Sequence, residues 1–133
     1  MKYELTPDLL TGNALIDTEH RQLFQAINQL TDDCAKGKGR DSLEKTADFL
    51  VSYVAKHFSD EERLQITSKY PAYSTHKQFH EGYKQKLSAA VEEIKQKGPT
   101  IATLGKFNGV VAILVSHIRM EDKRLAAHVR HNS

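Results

Sequence analysis

Apolar and polar residues recur along this chain with the spacing of helices. The most regular stretch is Leu43, Ala47, Leu50, Val54, His57, Glu61 and Leu64, separated alternately by four and three residues, which is one stripe of a packed α-helix. Tyr73, His76, His80, Tyr83, Leu87, Ala90 and Ile94 repeat it, and Phe107, Val110, Leu114 and His117 begin a third series. Near the start, His20 shares a face with Leu23, Phe24, Ile27 and Leu30. Strand-like alternation is missing. Gly37 and Gly39, Tyr70-Pro71 and Gly98-Pro99 punctuate the series.

The pattern predicts four helices. The first covers residues 18–36 behind an N-cap at Asp17. The second runs from a capping box, Asp41-Ser42-Leu43-Glu44, to residue 68. The third covers 72–97, and the fourth runs from about Thr100 past Ser116. Amphipathic helices of this length on short connections form an up-down-up-down antiparallel four-helix bundle. The expectation is thus one all-α domain over residues 1–133, with an extended N-terminal arm at 1–17 and the bundle at 18–133.

Composition adds three points. Nineteen basic against seventeen acidic residues give a net charge of +2. Both signs are interspersed, so nothing favours nucleic acid. Cys34 is the only cysteine, which rules out an intrachain disulfide and suits a reducing compartment. The start, MKYELTPDLL, has no apolar run of signal-peptide length, and the apolar stretch 110–115 is too short to span a bilayer. A cytoplasmic protein without a membrane partner is expected. The anomaly is histidine: seven in this length, with no tryptophan.

Five of those histidines lie on core-facing stripes, and the antiparallel topology gathers them at one end of the bundle. His20 is early in the first helix, His57 and Glu61 late in the second, His76 and His80 early in the third, and His117 late in the fourth. Unpaired, each such group would cost a few kcal/mol, roughly, to bury. A bound cation removes that cost. His57-x-x-x-Glu61 and His76-x-x-x-His80 each place two ligands one turn apart on one face. Asp122 follows His117 by five positions, about 140° around a regular helix; the helix is therefore expected to end or distort between them, in an irregular turn that returns the carboxylate to the core. Imidazole with carboxylate suits iron, manganese, zinc or copper rather than calcium or magnesium. Seven ligands exceed what one such ion can use.

These residues carry a resemblance. Ile16-Asp17-x-Glu19-His20 followed by Leu23 and Asn28, His57-Phe58-x-x-Glu61-Glu62, Tyr70-Pro71 leading to His76-x-x-x-His80, and His117-Ile118-x-x-x-Asp122 together resemble the bacterial hemerythrins over almost the whole chain. The resemblance implies a non-haem di-iron centre. In it His76, His80 and His117 hold one iron, His20 and His57 the other, and Glu61 and Asp122 bridge them beside an oxo or hydroxo bridge. The iron on His20 and His57 then keeps an open position for dioxygen. Phe24, Phe58, Phe79, Ile113, Leu114 and Ile118, one turn from the ligands, read both as ordinary core and as the dry wall of an oxygen pocket.

The departures from the family lie around the ligands. Leu5 stands where the arm often carries Trp, Ile113 where the fourth helix often has Trp, Leu125 where an aromatic residue commonly follows the aspartate, and Gln65 where Met is frequent. Other polar groups have plainer readings. His128 and His131 sit in a basic tail and read as solvated, Glu62 as surface with a hydrogen bond to a ligand imidazole as its alternative, Cys34 as a small buried hydrophobe, and Tyr53 and Tyr83 as packing.

The leading functional expectation is a binding protein for dioxygen in storage, delivery or sensing, and not an enzyme. A di-iron enzyme reducing peroxide, dioxygen or nitric oxide is the first competitor. The second is an oxygen- or redox-sensing module acting through a partner protein.

Overall fold

The computed structural model describes residues 3–37 and 39–131, with the backbone alone at Arg40. Residues 1–2 and 132–133, the ends of the predicted unit, lie outside them. The described chain is all-helical. It consists of α1 (Ala14–Ala35), α2 (Arg40–Thr67), α3 (Tyr73–Lys97) and α4 (Ile101–His117), the last continuing through a π turn (Ile118–Asp122) into α5 (Lys123–His131). Helix α1 packs on α2, α2 on α3 and α3 on α4. The short connections reverse the chain each time, which gives the antiparallel four-helix bundle.

Helix starts depart from expectation twice. Helix α1 begins at Ala14 because Asn13, not Asp17, is its cap: the Asn13 side chain accepts from the Ile16 N–H at 3.0 Å. Both residue types cap well. Asp17 is instead buried inside the first turn and ties the arm down, accepting from Thr11 N at 2.9 Å, Thr11 Oγ1 at 2.7 Å and Gly12 N at 3.1 Å. Helix α2 begins at Arg40 behind Gly39, with no side-chain cap, so the capping box at Asp41 is not formed. Asp41 lies within the first turn, where its charge complements the positive helix end. The capping box that does form is Thr100 with Thr103, at the start of α4.

The arm is not wholly extended. It contains a 3₁₀ turn, Pro7–Leu9, with Leu9 buried. Tyr3 exchanges two backbone bonds with the Asn28 amide at 2.8 Å each, and Arg119 of the π turn reaches Asp8.

The core falls into two parts. The larger runs along the bundle and includes Leu23, Ile27, Leu50, Val54, Phe58, Leu87, Ile94, Phe107 and Leu114. The smaller, at one end, is Ile16, Leu125 and Ala126, with Leu64, Tyr70 and Val129 against it. His20, one turn from Ile16 on one side and next to Leu23's turn on the other, marks where a polar layer separates them. Tyr83 is buried and donates to the Val110 carbonyl at 3.0 Å, while Tyr53 packs at the edge. Cys34 is buried, and burial pushes its thiol pKa up, which keeps it unreactive. The helical run 101–131 is long and apolar enough to cross a bilayer by length and composition. Its buried face is spent on the bundle: Phe107, Val110, Val111, Leu114 and Ile118 are core residues.

Candidate metal centre

The polar layer contains all seven predicted ligand residues. His20 comes from α1, His57 and Glu61 from α2, His76 and His80 from α3, His117 from α4 and Asp122 from the π turn. None is more than 6% exposed, and His20, His57 and His80 are at 0%. Their donor atoms form two groups that could each hold an ion: Glu61, His76, His80 and His117 in one, and His20, His57, Glu61 and Asp122 in the other. Glu61 belongs to both, with Oε2 at 3.5 Å from His57 Nε2 and Oε1 at 3.2 Å from His80 Nε2. Asp122 also spans them: Oδ2 lies 3.0 Å from His20 Nε2, and Oδ1 lies 3.2 Å from Nε2 of both His76 and His117.

The π turn makes Asp122 available. A helix does not end after His117; it widens for one turn closed by i→i+5 bonds, which brings residues five apart onto one face as an α-helix does for residues four apart. The carboxylate thereby meets His117 while α5 continues in line.

Two glutamates orient the rings. The Nδ1–H of His57 donates to Glu19 Oε1 at 2.8 Å, and the Nδ1–H of His80 donates to Glu62 Oε2 at 2.9 Å. With the proton fixed on Nδ1, each ring turns its Nε2 lone pair toward the chamber. Each glutamate is steadied in turn by a lysine, Lys56 on Glu19 at 2.9 Å and Lys77 on Glu62 at 3.1 Å. Glu62 is therefore not a surface residue, as its position beside Glu61 had suggested: its side chain is 14% exposed and turned onto His80. The role of Glu19 went unseen in the sequence, although it stands next to His20.

The layer is electrically unfinished as a protein-only structure. Both oxygens of Glu61, Asp122 Oδ1, His57 Nε2 and His80 Nε2 are buried without a hydrogen-bond partner. Burial, with the neighbouring His76 imidazole, lowers the His80 pKa to about 2, and burial lowers that of His57 against the pull of Glu19. Both imidazoles are thus neutral, the state that ligates. Burial and the adjacent Asp122 raise Glu61 well above its usual value; burial acts on Asp122 too, but the imidazoles of His117, His20 and His76, within 3.2 Å of its oxygens, outweigh it and hold the group low. Two carboxylates in one dry chamber share a deficit of positive charge. Cations placed among these orphaned lone pairs satisfy them all, so the donor set fits a pair of metal ions.

Comparison with known proteins agrees with this geometry. Residues 11–129 match the hemerythrin HHE cation binding domain. The chain belongs to the hemerythrin family. It is 30% identical over 126 residues to a bacteriohemerythrin of Pseudomonas aeruginosa, covering 94% of this chain and 80% of that one. A bacteriohemerythrin of Methylococcus capsulatus is 29% identical over 116 residues, 85% of each chain. The myohemerythrin of Sipunculus nudus is 42% identical over a shorter 74 residues, 55% of each.

Around the hemerythrin centre the aromatic residues lie flat on ligand rings. Phe58 stacks on His80 at 3.8 Å between centroids and 5° between planes, and Phe79 stacks on His117 at 3.9 Å and 6°. Phe24, Leu114 and Ile118 are buried with them. Ile113 is not: it is 38% exposed and belongs to neither apolar cluster, because it stands on the outward side of α4. A cleft of about 430 Å³, lined by Ala72, Thr75, His76, Phe79, His117, Glu121 and Arg124, opens beside the three-imidazole group.

His128 also departs from its expected place in a solvated tail. The chain there is helix α5, and His128 is half-buried, donating Nε2–H to the Ser68 carbonyl at 2.7 Å and resting against Tyr70. It caps the corner between α2 and α3. His131 is exposed, as expected.

Proposed function

We propose that the seven side chains hold two iron ions and that the protein binds dioxygen reversibly there, as a binding protein rather than an enzyme. The observation that carries this reading is the unequal division of imidazoles about Glu61: His76, His80 and His117 on one side, His20 and His57 on the other. With Glu61 and Asp122 shared, His76, His80 and His117 would hold one ion by three imidazoles and His20 with His57 the other by two, which would leave room for an exogenous ligand on the side of His20 and His57. Two reduced irons held by these residues would supply the two-electron chemistry that reversible dioxygen binding needs.

The chain's own residues set the conditions. Glu19 and Glu62 hold His57 and His80 in the ligating tautomer. Phe24, Phe58, Leu114 and Ile118 exclude water, which slows proton delivery and loss of the ligand. Aromatic and aliphatic walls, in place of acid–base groups, favour binding over turnover. Relatives named bacteriohemerythrin and myohemerythrin support the same reading. A reducing compartment such as the cytoplasm, where Cys34 stays a thiol, is the setting we assign.

Protein loaded anaerobically with iron(II) should contain two irons per chain. When it is mixed with oxygen in a stopped-flow spectrometer and then stripped with argon, the reduced spectrum should return. Immediate, complete oxidation with sustained turnover on added reductant would make it an enzyme. Saturation at a single metal per chain would overturn the two-ion reading itself.

A further inference from the structure

Gln65 is the polar side chain that the metal centre does not directly explain. It is 0% exposed, and both its carboxamide nitrogen and its oxygen lack a hydrogen-bond partner. It sits four residues after Glu61 on the inner face of α2. Side chains on a helix lean toward its N-terminus, so the Gln65 side chain lies back over the Glu61 turn.

The remaining orphaned atoms are the candidates for its partners. Two ions would take up Glu61 Oε1 and Oε2, Asp122 Oδ1, His57 Nε2 and His80 Nε2. What is then left is Nδ1 of His20, Nδ1 of His76 and the two ends of the Gln65 amide. When Nε2 of those rings ligates, Nδ1 carries the proton and needs an acceptor, unlike His57 and His80, which have Glu19 and Glu62. The set is complementary: unmatched N–H donors, an unmatched carbonyl, and an amide NH₂ one turn from a carboxylate with spare lone pairs.

Resting on the two-metal reading, we propose that Gln65 is a positioning residue for the loaded centre. Its NH₂ group donates to the Glu61 carboxylate, and its carbonyl oxygen accepts, directly or through one trapped water, from a ligand imidazole N–H that has no glutamate. The amide is thus a cost in the metal-free protein and a support in the loaded one. A methionine there would reverse both.

Gln65→Met and Gln65→Leu, two apolar side chains of different shape, separate this from simple packing. Cobalt(II) is the probe: its affinity is measured by chelator competition, and thermal melting is followed with and without it. The expected result for both variants is a metal-free protein that melts at or above the parent temperature, with cobalt bound on the order of 10- to 100-fold more weakly. Unchanged cobalt affinity, or equal melting shifts in the free and loaded forms, would overturn the inference and leave the centre intact. A parent protein that binds no cobalt would instead overturn the two-metal reading, and this inference with it.

Discussion

His117 and Asp122 stand five residues apart, yet Nε2 of one lies 3.2 Å from Oδ1 of the other. The π turn between them does the work of one inserted residue, converting an i, i+5 pair into neighbours on one face.

Deleting the exposed Met120 should therefore be tolerated. The pair then stands four apart, the helix closes as a regular α-helix, and metal analysis should still find two ions. Deleting Ala112, exposed on the regular part of α4, turns His117 about 100° relative to Phe107 and Val110, and should cost both metal and stability. Loss of metal on deleting Met120 would mean that the wide turn itself, and not the spacing, aims the carboxylate.

The carboxylates should grade by what they touch. Glu61→Ala and Asp122→Ala remove groups that reach both ion sites and should abolish loading of two metals. Glu62→Gln and Glu19→Gln leave the ligands but unpin one ring each, which should weaken metal binding by about 10- to 100-fold. Equal loss in all four, measured by competition with a chelator, would contradict the grading.

Acid should destabilise the metal-free protein through His57 and His80. Their pKa values are depressed by burial, that of His80 to about 2, so below the ordinary value of about 6.5 the unfolded chain binds protons that the folded chain refuses. Stability is then level above about pH 7 and falls as pH drops from about 6.5, by up to about 1.4 kcal/mol per pH unit for each ring. Glu61, whose pKa is raised, acts in the opposite sense, since its folded form takes up the proton. Urea midpoints in a Glu61→Gln background isolate the imidazoles; a midpoint that stays level or rises between pH 7 and pH 5 would count against them.

Ile118 is fully buried in the core and Ile113 is 38% exposed. Ile118→Glu should shorten the oxygenated state severalfold or more without removing iron, whereas Ile113→Ala should leave its lifetime unchanged. Decay of the oxygenated spectrum at fixed oxygen concentration measures both.

The five histidines and Glu61 that gather in the polar layer were legible in the sequence because they obey helical spacing, so a histidine on an apolar stripe declares its own direction. The bundle was legible for the same reason. Glu19 was not, and Glu62 was legible only as one of two readings, since each lies beside a residue of the layer and its partner is on another helix; only packing shows which way it turns. His128 was hidden likewise, its acceptor being a backbone carbonyl sixty residues away. Asn13 and Asp17 compete as caps with nearly equal propensity, and the N–H groups of Thr11 and Gly12 decide between them by claiming the aspartate.

Glu19 and Glu62 have one consequence for folding as well. Each adjoins a ligand in sequence, His20 and Glu61, while serving a ring on the next helix. A purely aliphatic seam of leucines and isoleucines packs almost as well after slipping by a turn, about 5.4 Å. If α1 slid that far along α2, Glu19 would lose His57 just as His20 left Asp122; if α3 slid along α2, His80 would lose Glu62 and Glu61 together. The polar layer has only one alignment in which Glu19 meets His57, Glu62 meets His80 and His20 meets Asp122 together, and so acts as a vernier for the bundle, fixing helix register that greasy surfaces alone leave loose.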